Sequence, residues 1–146
     1  MGNSSMINLK TMLSSKDMTW ETPQDFFDEL DKEFHFNLDP CATPETAKCH
    51  AYFTKEDDGL IQNWGGYNVF CNPPYGSEIK HWVKKCSEEG KKKDTVVVML
   101  IPARTDTRYF HEYIYNKAEM RFLKGRLKFG DSKNSAPFPS MLVIFR

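Results

Sequence analysis

The chain has 146 residues, 40% of them hydrophobic and 14% aromatic, which is enough for one packed core and leaves little for a second folded domain. No run approaches the roughly 20 apolar residues of a membrane span, and Met1 to Trp20 is polar rather than signal-peptide-like, so a soluble protein of the cytoplasm is expected. The net charge of zero hides an asymmetry: Glu21 to Asn63 holds eleven acids and three bases, a balance of −8 that leaves +8 elsewhere. A nucleic acid would meet the C-terminal two thirds rather than this acidic stretch, unless the charges are simply scattered over solvated faces.

Residues 1–18 mix Ser, Asn, Lys and Met without periodicity and are expected to be a flexible lead-in to one domain over 19–146. After Thr22-Pro23, the spacing of Phe26, Phe27, Leu30 and Phe34 predicts a helix from about 24 to 33, with proline where a first turn tolerates it. Phe36 to Asp39 alternates like a short strand, stopped by the prolines of Pro40-Cys41-Ala42-Thr43-Pro44. Ala51 to Thr54 is a further extended stretch, followed by the acidic turn Glu56-Asp57-Asp58-Gly59-Leu60. Tyr67 to Cys71 is predicted as a strand, cut off by Asn72-Pro73-Pro74-Tyr75-Gly76.

Ile79, Trp82, Val83 and Cys86 fall at i, i+3, i+4 and i+7 of an amphipathic helix, with Ser77 as its expected N-cap. Thr95 to Ile101 is a continuous, β-branched run, the pattern of a strand buried on both faces in a parallel sheet. Phe110, Tyr113 and Ile114 mark another helix, and Met120–Leu123 and Met141–Phe145 two closing strands. Strands alternating with helices make an α/β, Rossmann-like open sheet with flanking helices, whose ligands bind outside the carboxyl ends of the strands.

The Asn72 loop carries the most specific chemistry. An exocyclic amine conjugated to a base ring or an amide carbonyl is a poor nucleophile, because its lone pair is delocalised. The side-chain carbonyl of Asn72 and the backbone carbonyl of Pro73 can each accept one amino hydrogen, drawing the nitrogen toward tetrahedral geometry with its lone pair facing a methyl donor. Pro73 and Pro74 stiffen the loop so that its acceptors are already oriented. Tyr75 offers a flat face for an extruded base. The same four residues could also be an ordinary strand-terminating turn.

With this loop the sequence resembles the class I S-adenosylmethionine-dependent amino methyltransferases, and more narrowly the phage-type DNA N6-adenine methyltransferase (Dam-like) family. The resemblance runs from Trp20 to Phe145 through Trp20-x-Thr22-Pro23, Leu38-Asp39-Pro40-Cys41-Ala42, Ala47-Lys48-Cys49, Asp58-Gly59-Leu60, Trp64, Cys71 to Gly76, Ile79, Trp82 and Pro137-Phe138-Pro139-Ser140. It implies S-adenosylmethionine as methyl donor, adenine in DNA as acceptor, in-line attack of the amino nitrogen on the sulfonium methyl, and the bacterial host cytoplasm as location. It also implies that Thr22-Pro23 lies beside the methionine carboxylate of the cofactor, that Asp39 meets its ammonium with Pro40, Cys41 and Ala42 forming the cofactor loop, and that Asp58 accepts from its adenine amino group. Asn72 would face both cofactor and target. For Asp39 the alternative is a turn or helix cap, and for Asp58 a solvated turn.

Three departures from the wider superfamily stand out. The cofactor loop lacks Gly-x-Gly; only 33 residues separate Asp39 from Asn72, leaving open which of Glu56, Asp57 and Asp58 holds the ribose; and there is no room for a separate target-recognition domain. Site recognition would then fall to short segments. Lys117 to Lys133 contains six bases against Glu119 and Asp131, and Lys124, Arg126 and Lys128 are the candidate DNA contacts, although a merely solvated face would look the same. A homodimer would extend the DNA covered. Other readings keep the loop but change the substrate to RNA or a protein glutamine, or keep the fold as a non-catalytic nucleic-acid-binding module. The four histidines show no metal-ligand spacing, and the cysteines, Cys41, Cys49, Cys71 and Cys86, no close pair, so no metal is expected and the thiols are taken as reduced. Cys71 is expected to be a buried strand residue, and Trp64 and Trp82 core.

Overall fold

The computed structural model describes residues 19–130 and 134–146; the expected lead-in over 1–18, together with Asp131 and Lys133, lies outside them. The elements in chain order are α1 (Gln24–Phe34), β1 (Leu38–Asp39), β2 (Ala51–Tyr52), a 3-10 turn (Gly59–Ile61), β3 (Asn68–Cys71), α2 (Ile79–Glu89), β4 (Val96–Pro102), a π-helical segment (Phe110–Ile114), β5 (Glu119–Phe122) and β6 (Ser140–Phe145). The six strands form one sheet in the order β2-β1-β3-β4-β6-β5. The first four in this order are parallel to one another, whereas β6 runs antiparallel to both β4 and β5.

β4 alternates its side chains between two cores. Val97, Met99 and Ile101 join Trp82, Val83, Cys86, Phe110 and Ile114 on one face. Val98 and Leu100 meet Phe27 and Phe34 of α1 on the other. The result is a sheet between helical layers, with β4 buried along its length after Val96. Burying each large apolar side chain stabilises such a core by about 1.5–3 kcal/mol.

The long elements match the periodicity of the sequence, and the differences have local causes. β1 and β2 are only two residues each, because the chain leaves the sheet at once into the Pro40 and Thr54 turns. α2 is not capped by Ser77: Glu78 occupies the N-cap, makes no side-chain capping bond, and Ser77 is exposed. The Phe110 helix is a single wide turn, in which the Tyr115 amide donates to the Phe110 carbonyl (2.8 Å). β4 has a parallel neighbour on one side only; its β6 side is antiparallel, which a uniformly apolar run does not reveal.

Candidate active site

From β1 the chain moves outward to β2, then returns to place β3 on the other side of β1. This reversal makes the carboxyl ends of β1 and β3 a topological switch point, where open α/β sheets bind ligands. Asp39 ends β1 and Asn72 follows β3, so the two candidate residues lie on neighbouring parallel strands at the same edge of the sheet.

The Asn72 amide is held in one orientation. Its Nδ2 donates to the Trp20 carbonyl and to Thr22 Oγ1 (2.9 Å), while its Oδ1 accepts from the Tyr75 hydroxyl (2.9 Å). A backbone carbonyl only accepts, so the Trp20 contact fixes Nδ2 on that side and leaves Oδ1 as the acceptor. The Tyr75 hydroxyl also lies 3.2 Å from the Leu100 carbonyl of β4. Pro73 is buried and Pro74 half-buried. Tyr75 is 5% exposed, near-parallel to Trp20 at 6.5 Å and edge-on to Phe129 and Phe138. Burial pushes its phenol well above its ordinary range. The aromatic face expected from Tyr75 alone is therefore part of a cluster.

Thr22 is buried and joins this centre through its bond to Asn72, with Pro23 at the head of α1. Asp39 is buried as well. Its Oδ1 accepts from the Cys41 amide (3.3 Å) and its Oδ2 from the Lys48 amide (3.1 Å), so the carboxylate braces the loop from Pro40 to Lys48. Burial raises its pKa from 3.8 to about 6, against the pull of those amides. The group is therefore still ionised at neutral pH, and a buried anion at a switch point favours a cationic ligand. Ala42 ties the same loop to Phe53 through its amide (3.0 Å). The Cys41 thiol is pushed up by burial, which makes it inert at neutral pH.

Asp58 adopts a left-handed backbone (φ 56°) and caps the 3-10 turn by accepting from the Leu60 amide (3.1 Å). The neighbouring Gly59 is what the spacing did not reveal. A Cβ there would stand 2.1 Å from the Pro40 carbonyl and 3.1 Å from Trp82, so only glycine lets this turn press against the Pro40 loop. The Gly59 carbonyl accepts from Trp64 Nε1 (3.0 Å), and the Trp64 amide donates to buried Glu89 (2.6 Å). Glu89 is pushed up by burial, but Lys92, the Trp64 amide and Lys85 outweigh that and hold it below the ordinary carboxylate range. Trp64 and Trp82 are core residues, stacked at 6.4 Å. Cys71 is fully buried behind the loop, its thiol raised by burial and by Cys86.

Lys124, Arg126 and Lys128 are exposed on the connection between β5 and β6. Arg121, counted with them in the basic segment, is diverted: it forks onto both oxygens of Glu33 (2.7 Å each) and pairs with Glu119. It bridges the acidic and basic parts of the chain instead of offering a free charge. Beyond Tyr75 lies a cavity of about 460 Å³, lined by Trp20, Tyr75, Tyr109 and Phe138 with Arg104 and Thr107. Residue type alone does not mark the stretch Arg104 to Thr107 in the sequence. Its signal is position, just after the carboxyl end of β4.

Among the described residues, no group of three or more His, Cys, Asp or Glu side chains is arranged to hold a metal, and no helix is long and apolar enough to cross a membrane. Residues 8–146 match the family described as DNA N-6-adenine-methyltransferase (Dam). The chain is 29% identical over 148 residues to the DNA N-6-adenine-methyltransferase of Haemophilus phage HP1, covering 96% of this chain and 84% of that protein. It is also 31% identical over 110 residues to the DNA N-6-adenine-methyltransferase of Escherichia phage T1, covering 74% of this chain but only 45% of that longer protein.

Proposed function

Because the chain belongs to the DNA N-6-adenine-methyltransferase (Dam) family, we propose that it methylates the exocyclic amine of adenine in DNA with the loop from Asn72 to Tyr75. The observation that carries this reading is the fixed Asn72 amide at the topological switch point. Trp20 and Thr22 hold its nitrogen, and this leaves Oδ1 to accept. The Tyr75 hydroxyl uses one lone pair of that oxygen and leaves a second for an amino hydrogen of the target. The Pro73 carbonyl accepts the other amino hydrogen, and two acceptors together draw the nitrogen out of conjugation. Because both are oriented before the target arrives, the loop contributes preorganisation.

S-adenosylmethionine suits the switch point by the chemistry of the side chains there, and when bound it supplies an electrophilic methyl group on a sulfonium. The ionised, buried Asp39 suits its ammonium, and the Thr22 hydroxyl, which accepts from Asn72 and retains its own proton to donate, suits its carboxylate. Pro40, Cys41 and Ala42 would line the pocket, with Pro23 and Asp58 at its margins. Gly59, pressed on the Pro40 carbonyl, shapes this loop from outside. Exposed Lys124, Arg126 and Lys128 would follow the phosphate backbone. A homodimer would lengthen that track, and sedimentation with and without DNA reads it directly.

The test is to incubate the protein with methyl-labelled S-adenosylmethionine and unmethylated genomic DNA, digest to nucleosides and quantify N6-methyladenine. Wild type should yield labelled N6-methyladenine, and Asn72→Ala should lower the rate by about a hundredfold or more. Bound cofactor without N6-methyladenine would move the substrate to RNA or protein. No cofactor binding would leave a nucleic-acid-binding module.

A further inference from the structure

The cavity beyond Tyr75 combines aromatic side chains with a cation. Trp20, Tyr75, Tyr109 and Phe138 give it aromatic walls, and among the described residues Arg104 is the sole charged one lining it. Its volume of about 460 Å³ is within the usual range for small-molecule sites. It is continuous with the Asn72 loop, because Tyr75 lines it while bonding Asn72 Oδ1.

Arg104 is presented by a braced turn. Its amide donates to the Pro102 carbonyl (2.9 Å), and its own carbonyl accepts from the Thr107 hydroxyl (2.8 Å). Farther along, His111 Nε2 lies 2.8 Å from the Thr105 carbonyl, tying the turn to the π-helical segment. The backbone beneath the guanidinium is therefore anchored at three points. Among the described residues no carboxylate pairs with Arg104, in contrast to Arg121 and Arg146, which are both committed to Glu119. The one acid of the turn, Asp106, is exposed and is not part of the cavity lining. An aromatic slot with one unpaired guanidinium at its wall is complementary to a planar base carrying a phosphate.

We propose that Arg104 is a positioning residue that grips the backbone phosphate of the extruded target nucleotide, while Trp20, Tyr75, Tyr109 and Phe138 enclose its base. This rests on the reading of the chain as a DNA adenine methyltransferase, and it adds a cationic anchor distinct from Lys124, Arg126 and Lys128. Those three contact the duplex wherever it lies. Arg104 engages only a nucleotide that has left the stack, which fixes the distance between the amino group and Asn72.

The experiment measures binding of two fluorescein-labelled duplexes by anisotropy, one fully paired and one with a single adenine opposite an abasic site, so that this base leaves the stack at little cost. Wild type should prefer the second duplex. Arg104→Ala should lower affinity for it by about tenfold and flatten its salt dependence by about one counterion, with little change on the paired duplex. Arg104→Lys should restore part of the loss, and Lys124→Ala should weaken both duplexes alike. Calorimetric S-adenosylmethionine binding and the thermal midpoint of Arg104→Ala should match wild type. Equal loss on both duplexes, no loss, or no wild-type preference would overturn the proposal, as would a parallel loss of cofactor binding. Preference that depends on Arg104 in a protein that forms no N6-methyladenine would sink the methyltransferase reading and leave the grip standing.

Discussion

The connection that follows β1 and the one that joins β5 to β6 differ in how much of their backbone is tied down. Between Asp39 and Phe53, the Asp39 carboxylate takes two loop amides, Thr43 and Thr46 bond each other, and Ala42 and Phe53 pair across the gap. Gly59 then closes on the Pro40 carbonyl from outside. Between Leu123 and Ser140, by contrast, the backbone bonds among the described residues are those of Leu123 to Ser140, Gly130 to Glu21, Ala136 to Leu127 and Ala103 to Pro139, and Lys124, Arg126 and Lys128 are exposed. A loop for a small ligand of fixed shape gains from rigidity, because every pre-set donor lowers the ordering cost of binding. A surface for a polyanion gains from exposed charge, where counterion release supplies affinity without fixed geometry.

The largest effect on this contrast is expected from Gly59→Ala. Its Cβ would meet a backbone carbonyl rather than a movable side chain, so the variant should lose on the order of 3 kcal/mol of stability. Chemical denaturation measures that loss. Cofactor binding should fall with it while affinity for random duplex DNA persists in the folded fraction; an unchanged cofactor affinity would show that the clamp does not shape the site.

Asp39→Asn should separate binding from stability. The native pKa of about 6 exceeds the ordinary 3.8, so the folded state binds the extra proton between these values. The contribution of Asp39 to stability is thus present below pH 4 and lost as pH rises through 6, a change of at most about 3 kcal/mol. The asparagine variant should lack this slope and be as stable as wild type at neutral pH or more so, yet bind S-adenosylmethionine about tenfold more weakly. Thermal midpoints across pH 4–7 that fall in parallel for the two proteins would contradict the assignment.

Replacing Lys124, Arg126 and Lys128 together by alanine should flatten the salt dependence of DNA binding by about three counterions and leave cofactor binding intact. The smallest effect is expected from Arg121→Ala. Its charge is already neutralised by Glu33 and Glu119, so the salt slope should not move, and a surface ion pair should cost less than about 1 kcal/mol. A slope change as large as that of Lys124→Ala would return Arg121 to the DNA surface.

Much of the fold was legible because its signals are local. The 3.6-residue spacing from Phe26 to Phe34 and from Ile79 to Cys86 gave both helices, and the β-branched run before Pro102 gave the central strand. The place of Asn72 at the end of a strand was legible because the two prolines after it cannot continue the ladder. Less visible were contacts between residues far apart in the chain. Nothing near Trp20 in sequence says that its carbonyl will orient an amide 52 residues later, and Gly59 in an acidic turn looks like any turn glycine until Pro40 is brought against it. The expected N-cap at Ser77 failed because capping depends on where the first helical turn begins, and here it begins one residue later.

The sequence by itself determined the α/β alternation, the proline loop after β3, and the family to which the chain belongs, since each depends on residue type and short-range order. Only the tertiary structure decided that β6 enters antiparallel beside β4, that Asp39 is a buried brace as well as a ligand candidate, and that Arg121 is spent on Glu33 while Arg104 is not. Strand partnership, burial and ion pairing are properties of approach between distant segments, and a side chain's charge says nothing of which opposite charge the fold will set beside it.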